Sequence, residues 1–290
     1  MSYLELPFAA IIAAVLGLAV GSFLNVVIYR LPKMMEQEWR SDCHEFVGTP
    51  LPAQARLNLA VPRSYCPQCA HPIAWYENIP VLSYLALGGK CSACKAPIGI
   101  RYPAVELVSA LFFSVAVVHF GASWVALAWC VFSALLIALF LIDLDTQLLP
   151  DDLNYLLLWL GISVALLGHG VALASALYGA IFGYLSLWSV TKFYYLLSGK
   201  VGMGNGDFKL LAALGAWFGV EYLFVLILLS SLVGSVIGVL LLSSGRLADR
   251  NIPIAFGPFL AGAGLLAMLV GPDNLQQWAP FAFPLGGLRN

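Results

Sequence analysis

Charge is what this chain has least of. Of its 290 residues only 14 are Lys or Arg and 15 are Asp or Glu, a 10% charged fraction with a net charge of −1. A soluble domain carries about a quarter charged residues. Here 61% are hydrophobic and the mean hydropathy is +0.89. An ordinary soluble domain is excluded, no nucleic-acid partner is expected, and the chain reads as an all-α polytopic membrane protein. Several reaction types lack their parts: HExxH, GxSxG and a rhomboid-like GxSG are all missing from the sequence. There is no GxGxxG nucleotide loop, no convincing internal repeat and no low-complexity tract. The start also lacks a basic cluster, with Glu5 the only charge before the first apolar run, so that run is expected to be retained and not cleaved as a signal peptide.

What the chain does have is apolar length. Eight spans are predicted, at about 8–29, 104–120, 124–142, 153–168, 171–197, 208–220, 221–242 and 253–271. Crossing the hydrocarbon takes about 20 helical residues, so 208–220 is short. Orientation follows from Lys and Arg, which favour the cytoplasmic side. Eight of the 14 (Arg30, Lys33, Arg40, Arg56, Arg63, Lys90, Lys95 and Arg101) lie between the first two spans. With that segment cytoplasmic, alternation through eight crossings also puts Lys192, Lys200, Lys209, Arg246 and Arg250 inside. Only Arg289 disagrees, and both termini are predicted to be periplasmic. Four-residue steps of glycine (Gly17/Gly21, Gly179/Gly183, Gly215/Gly219 and Gly234/Gly238) suit closely packed helices.

Residues 30–103 form the one sizeable polar insertion, with six prolines (Pro32, Pro50, Pro52, Pro62, Pro67 and Pro72) ahead of Pro80. Its apolar periodicity is too thin for a core, so a staple is needed. Cys66-Pro67-Gln68-Cys69 and Cys91-Ser92-Ala93-Cys94 supply one, as two CxxC knuckles separated by 21 residues. Two such knuckles present four sulfurs to one tetrahedral zinc ion, and four cysteines leave no open position for water, so the ion is expected to be structural. Disulfides are the alternative, disfavoured by the cytoplasmic assignment. Cys43 and Cys130 stand outside the pattern, and Cys130 reads as an apolar residue of the third span.

Two carboxylates stand out because ionisable groups at membrane depth are costly. Asp143 ends the apolar stretch Ala134–Ile142, and Asp207 closes Gly204-Asn205-Gly206-Asp207. The topology puts both at the cytoplasmic face. Two carboxylates about 5 Å apart repel by roughly 3 kcal/mol at an effective dielectric near 20, which favours one shared proton. Such a pair hydrolyses a peptide when its ionised member takes a proton from water and its protonated member donates to the carbonyl. Gly204 and Gly206 would give the loop before Asp207 access to positive φ and room for a substrate backbone. Alone, the same four residues read equally well as a turn with Asp207 capping the next helix. Asp145, Asp151 and Asp152 compete with Asp143 for the first role. Asn25 is expected to bond across helices, and Glu106 to pair with Arg101 or face the polar segment. The four histidines, His44, His71, His119 and His169, form no ligand spacing.

Together these motifs resemble the bacterial type IV prepilin peptidases, a family of GxGD aspartyl peptidases. The resemblance is carried by the run Gly21-Ser22-Phe23-Leu24-Asn25-Val26-Val27-Ile28-Tyr29-Arg30-Leu31-Pro32, by Ser64 to Glu106 with its four cysteines, by Ile142-Asp143 and Leu148-Leu149-Pro150-Asp151, and by Gly202 to Leu211. It implies a bifunctional enzyme of the bacterial inner membrane. The enzyme would cut the basic leader from prepilins and type II secretion pseudopilins, then methylate the new N-terminus from S-adenosyl-L-methionine. Carried over, Asp143 and Asp207 are the catalytic pair, supported by the Gly204 and Gly206 loop. Cys66, Cys69, Cys91 and Cys94 bind zinc, and Gly89 and Lys90 are linked to methylation. The implied domains are a first transmembrane helix over 1–29, a cytoplasmic zinc segment over 30–103, a seven-helix membrane domain over 104–271 and a tail over 272–290. The implied partners are prepilins, pseudopilins and membrane lipid. The rival readings are a multi-span transporter with a zinc-binding regulatory loop, and a preflagellin-type or presenilin-like GxGD peptidase.

Overall fold

The computed structural model describes residues 5–49, 57–244 and 255–271. Arg56, Arg246, Arg250, Arg289, Pro50, Pro52 and the tail over 272–290 lie outside the described residues, as does the start of the last predicted span. Regular structure among the described residues is helical: α1 (Glu5–Val47), a 3-10 turn (Trp75–Asn78), α2 (Leu82–Ala86), α3 (Arg101–Phe120), α4 (Trp124–Thr146), α5 (Asp151–Leu166), α6 (Leu173–Ser198), α7 (Asn205–Phe218), a second 3-10 turn (Val220–Tyr222), α8 (Leu223–Ser243) and α9 (Gly257–Val270). Each of the eight predicted spans falls on one apolar helix. Five of these (α1, α3, α4, α6 and α8) are long and apolar enough to cross a bilayer. Helices α7 and α9 have 14 residues each, about 21 Å at 1.5 Å per residue, short of the hydrocarbon thickness. The chain is a multi-pass, all-α membrane protein, and it divides into two compact units, Met1–Ala138 and Leu139–Asn290, with the boundary inside α4.

In the first unit α1 and α3 run antiparallel, and glycine sets their closeness. A Cβ on Gly17 would lie 2.6 Å from the Ala110 Cα, and one on Gly21 2.6 Å from the Glu106 Cα. Polar bonds lock the register: Ser114 Oγ donates to the Ala10 carbonyl at 3.2 Å, and Asn25 Nδ2 to the Tyr102 carbonyl at 3.2 Å. The cross-helix partner expected for Asn25 is therefore a backbone oxygen. Cys130 is buried with its Sγ 3.9 Å from the Phe113 carbonyl, as suits a small apolar residue of a span.

Helix α1 does not stop where its apolar run stops near residue 29. It continues through Pro32 to Val47, carried by residues with good helix propensity such as Met34, Met35, Glu36 and Glu38. Pro32 removes one backbone donor from the ladder without ending the helix. Arg30 is buried and donates to the Asn58 and Leu59 carbonyls at 3.0 and 3.3 Å.

The second unit is organised around α7. Antiparallel α6 meets it at Gly179 and Gly215, where a Cβ on either would lie about 2 Å from the other's carbonyl oxygen. Parallel α5 meets it where the indole N–H of Trp217 donates to the Leu157 carbonyl at 2.8 Å, with Gly161 against the ring. At the head of both helices Lys209 Nζ holds both Asp151 carboxylate oxygens, at 2.7 and 2.6 Å. Gly234 on α8 receives the ring of Phe259 on α9. Eleven of the 14 residues of α7 are buried, which gives its short apolar helix a protein environment in place of lipid.

Candidate active site

Asp143 sits in the last turn of α4, not in the connection after it. Phe132, Leu136, Leu139 and Asp143 recur at steps of four, three and four, the stripe of one helix face. The first three are fully buried and Asp143 is 4% exposed, whereas Asp145, two residues on, is exposed. Among the competitors, Asp151 pairs with Lys209 and Asp152 is exposed. The helix phase thus separates Asp143 from its rivals.

Asp207 is the third residue of α7 and is 7% exposed. Gly204 is the N-cap of that helix, so Asp207 does not cap it in the ordinary way. Its carboxylate reaches back to the Gly204 amide, as the third residue does in a capping box. The expected positive φ is not what the two glycines supply. Gly204 has φ −76° and ψ 153°, an extended geometry open to any residue, and Gly206 lies within the helix. Gly206 serves a contact: a Cβ there would lie 2.7 Å from the Leu149 Cβ.

Leu149 also touches the other carboxylate's surroundings. A Cβ on Gly257, the first residue of α9, would lie 2.9 Å from Leu149 Cδ1 and 2.4 Å from Asp143 Oδ2. Asp143 takes the backbone N–H of Gly257. Leu149 therefore joins the two glycines that flank the two aspartates, and the aspartates are near enough for their charges to interact. Each carboxylate retains one buried oxygen without a partner, Asp143 Oδ2 and Asp207 Oδ1. A buried acceptor left unmatched costs about 1–3 kcal/mol. Two of them in one place, served by glycine backbones, suit a small polar guest such as water. Sequence reading missed Gly257. Its only local signal is Gly257-Pro258 at the start of an apolar run, a common helix opening.

The four thiols form a separate cluster in the first unit. The Sγ atoms of Cys66, Cys69, Cys91 and Cys94 lie within 4.8 Å of one another, with Cys66–Cys94 at 3.8 Å and Cys69–Cys91 at 4.0 Å. Tetrahedral Zn–S bonds of about 2.3 Å require sulfurs about 3.8 Å apart, so the donor set fits zinc. All four are free thiols. The knuckles repeat one geometry: Ala70 and Lys95, each following a second cysteine, have φ of 57° and 61°. Their amides return to the Cys66 and Cys91 carbonyls at 2.9 and 3.1 Å. Amides of Gln68 and Cys69 pull the Cys66 thiol down to about 7, and amides of Cys94 and Ala93 lower Cys91. The His71 amide pulls Cys69 the same way, but desolvation and neighbouring thiols prevail and raise it to about 11.

Gly89 and Lys90 lead into the second knuckle. Gly89 has φ 67°, lies against the Tyr84 ring and accepts the Ile98 amide at 2.7 Å; exposed Lys90 bridges to Pro97. Glu106, 7% exposed, faces the polar segment: its Oε2 accepts the Val81 amide at 2.8 Å.

Fold and sites define a polytopic helical membrane protein with two centres, a buried pair of acids and a four-thiol module. Residues 15–120 match the family described as Bacterial Peptidase A24 N-terminal domain, and residues 130–239 match the Type IV leader peptidase family. A prepilin leader peptidase/N-methyltransferase of Pseudomonas aeruginosa is 53% identical over 95% of this chain and 96% of its own length. Proteins of the same name from Stutzerimonas stutzeri and Neisseria gonorrhoeae are 51% and 49% identical, over 95% and 89% of this chain and 96% and 89% of their own. No solved structure matches the chain. The chain belongs to the type IV leader peptidase family.

Proposed function

We propose that this protein is a bifunctional prepilin peptidase of the bacterial inner membrane. It cleaves the basic leader from type IV prepilins and type II secretion pseudopilins at the cytoplasmic face, then methylates the exposed N-terminal amine. The observation that carries the peptidase reading is the pair Asp143 and Asp207, buried together with one unpartnered oxygen each. In hydrolysis the ionised member of the pair takes a proton from water as its oxygen bonds to the scissile carbonyl carbon. The protonated member gives its proton to the carbonyl oxygen. Collapse of the resulting diol breaks the C–N bond, and the first carboxylic acid returns its proton to the leaving amine. Gly204 and Gly257 bring backbone amides to the two carboxylates, and Gly206 makes room for Leu149 between them.

The substrate chemistry suits this position. A basic leader stays near the anionic cytoplasmic surface while the apolar helix behind it lies in the bilayer. In the second reaction S-adenosyl-L-methionine would supply the methyl group that the free N-terminal amine accepts. Gly89 and Lys90 are assigned to that reaction. Cys66, Cys69, Cys91 and Cys94 hold a structural zinc ion that folds the segment around them. The domain reading is a first transmembrane helix over 1–29, the zinc segment over 30–103, the seven-helix peptidase domain over 104–271 and a tail over 272–290. Both termini are periplasmic, membrane lipid surrounds the spans, and no nucleic acid takes part.

The test uses purified Asp143→Asn and Asp207→Asn variants with a full-length prepilin. Each is expected to lose cleavage by at least a hundredfold while still inserting and binding zinc. Cleavage at the wild-type rate in either variant refutes the pair. A pre-cleaved pilin with labelled methyl donor checks that methyl transfer survives in both.

A further inference from the structure

Between the two knuckles lies Ile79-Pro80-Val81-Leu82-Ser83-Tyr84-Leu85-Ala86-Leu87-Gly88-Gly89, a run without a single charge in the most polar part of the chain. Its large side chains are turned outward: Leu82 and Leu85 are 66% and 68% exposed, and Ile79 is 38% exposed. Trp75 and Tyr76, just ahead of it, are also exposed. Water is a poor partner for this surface, and the contacts of the first unit indicate what covers it.

Arg30 is the first basic residue after the apolar part of α1 and gives a reference level along that helix. Gly21 lies nine residues back along α1, about 14 Å deeper. Gly21 faces Glu106, and Glu106 holds the Val81 amide at 2.8 Å. Even with the Glu106 side chain and that hydrogen bond both laid along the axis, a reach of about 8 Å, Val81 stays roughly 6 Å on the membrane side of Arg30. The apolar run therefore lies level with the end of the apolar part of α1, as does Arg101 at the head of α3. On α3, to which Glu106 ties the run, the apolar residues Leu107, Val108 and Leu111 are also exposed.

The backbone of the run meets the condition that hydrocarbon imposes, that polar groups be satisfied internally. Amides of Leu82, Ser83, Leu85, Leu87, Gly88 and Gly89 all return to carbonyls between Ile79 and Leu85. The Val81 amide goes to Glu106, and the Ser83 hydroxyl to the Ile79 carbonyl at 2.7 Å. At the rim stand exposed Lys90 and Lys95, suited to anionic headgroups.

We propose that the segment from Trp75 to Leu87 is an interfacial membrane element that moors the four-cysteine module to the bilayer. Leu82 and Leu85 enter the acyl-chain boundary, Trp75 and Tyr76 lie at headgroup depth, and Glu106 anchors the element to α3. The partner of this surface is phospholipid. The proposal is independent of the catalytic assignment.

The test incorporates the photoreactive residue benzoylphenylalanine into the full-length protein at Leu82, at Leu85 and, as a control, at exposed Gln68 in the first knuckle. The variants are reconstituted in vesicles of phosphatidylethanolamine and phosphatidylglycerol, checked for zinc content and irradiated. Peptides from positions 82 and 85 are expected to carry a phospholipid mass, and the peptide from position 68 none. Adducts from 82 and 85 only to protein, or no lipid adduct above the level at 68, overturn the proposal. Trp75→Phe gives a second reading without a bulky insertion. In vesicles with bromine-labelled acyl chains, the quenchable tryptophan signal should fall, since Trp75 is 77% exposed on the element. An unchanged quenchable signal counts against membrane insertion of the element.

Discussion

Gly257→Ala is the smallest change that addresses the proposed carboxylate pair without touching it. The added methyl would sit 2.4 Å from Asp143 Oδ2 and 2.9 Å from Leu149 Cδ1, where ordinary contact begins near 3.4 Å. About 1 Å must be found, by rotating the carboxylate or by lifting the head of α9 away from it. Gly257 is not among the positive-φ glycines, so its backbone accepts alanine, and a helical position gains about 0.5–1 kcal/mol from the exchange. Against that gain stands an overpacking cost of about 1–3 kcal/mol, which leaves a net loss of about 0–2.5 kcal/mol. Catalysis is more sensitive, since a displacement of about 1 Å costs up to a hundredfold in rate. That factor corresponds to about 2.7 kcal/mol in the barrier. The expected variant is folded, with a slightly lower melting temperature, a kcat for prepilin cleavage down by about a hundredfold and a KM changed little. Gly262→Ala on the same helix is the control, because its methyl would meet Phe140 at an ordinary 3.7 Å. If Gly257→Ala cleaves at the wild-type rate, the Asp143 carboxylate does not work in the position described.

Zinc capture should strengthen with pH, because Cys69 at about 11 holds a proton that ligation must displace. Each proton released raises the apparent affinity up to about tenfold per pH unit, and competition with a chromophoric chelator from pH 6 to 8 measures it. A flat profile contradicts ligation by four thiolates. Asn154, fully buried on α5 with neither side-chain polar atom partnered, makes the opposite kind of prediction. Asn154→Leu removes an unmatched amide that costs about 1–3 kcal/mol, so thermal stability should hold or rise at unchanged cleavage. Cleavage lost at unchanged stability would give Asn154 a part in the site.

Much of the helical layout was legible because membrane spans are coded locally. Apolar length alone located α3, α4, α6 and α8 to within a few residues. It could not show that α1 continues to Val47, since the polar half of that helix carries no apolar period, only propensity and a tolerated Pro32. The cysteine knuckles were legible for the same local reason. The aspartates were legible as costly charges, but their local settings were not. The run Gly204 to Asp207 reads as a loop or a cap at Asp207, whereas Asp207 is the third residue of a helix capped by Gly204. Gly206 suggests backbone freedom in the sequence but matters for the room it leaves Leu149. The ion pair between Lys209 and Asp151 joins residues 58 apart, a distance no local pattern spans.

The unread part of the site shares one physical cause. An aspartate side chain is short, so two of them on different helices meet only if the helices themselves come close. That closeness comes from positions without side chains. Gly179 and Gly215 let α6 and α7 touch backbone to backbone, Gly206 lets Leu149 onto the head of α7, and Gly257 sets the head of α9 on Asp143. A glycine in a sequence announces that something is near but not what. The family motif contains Gly204 and Gly206 beside Asp207, yet Gly257, 50 residues away, makes the tighter contact with a carboxylate. A search for further residues of the proposed peptidase site should therefore begin with helical glycines of normal φ whose missing Cβ would strike a carboxylate or its neighbour. Polar residues in the loops are the weaker candidates, because a loop side chain can be moved while a backbone crossing cannot.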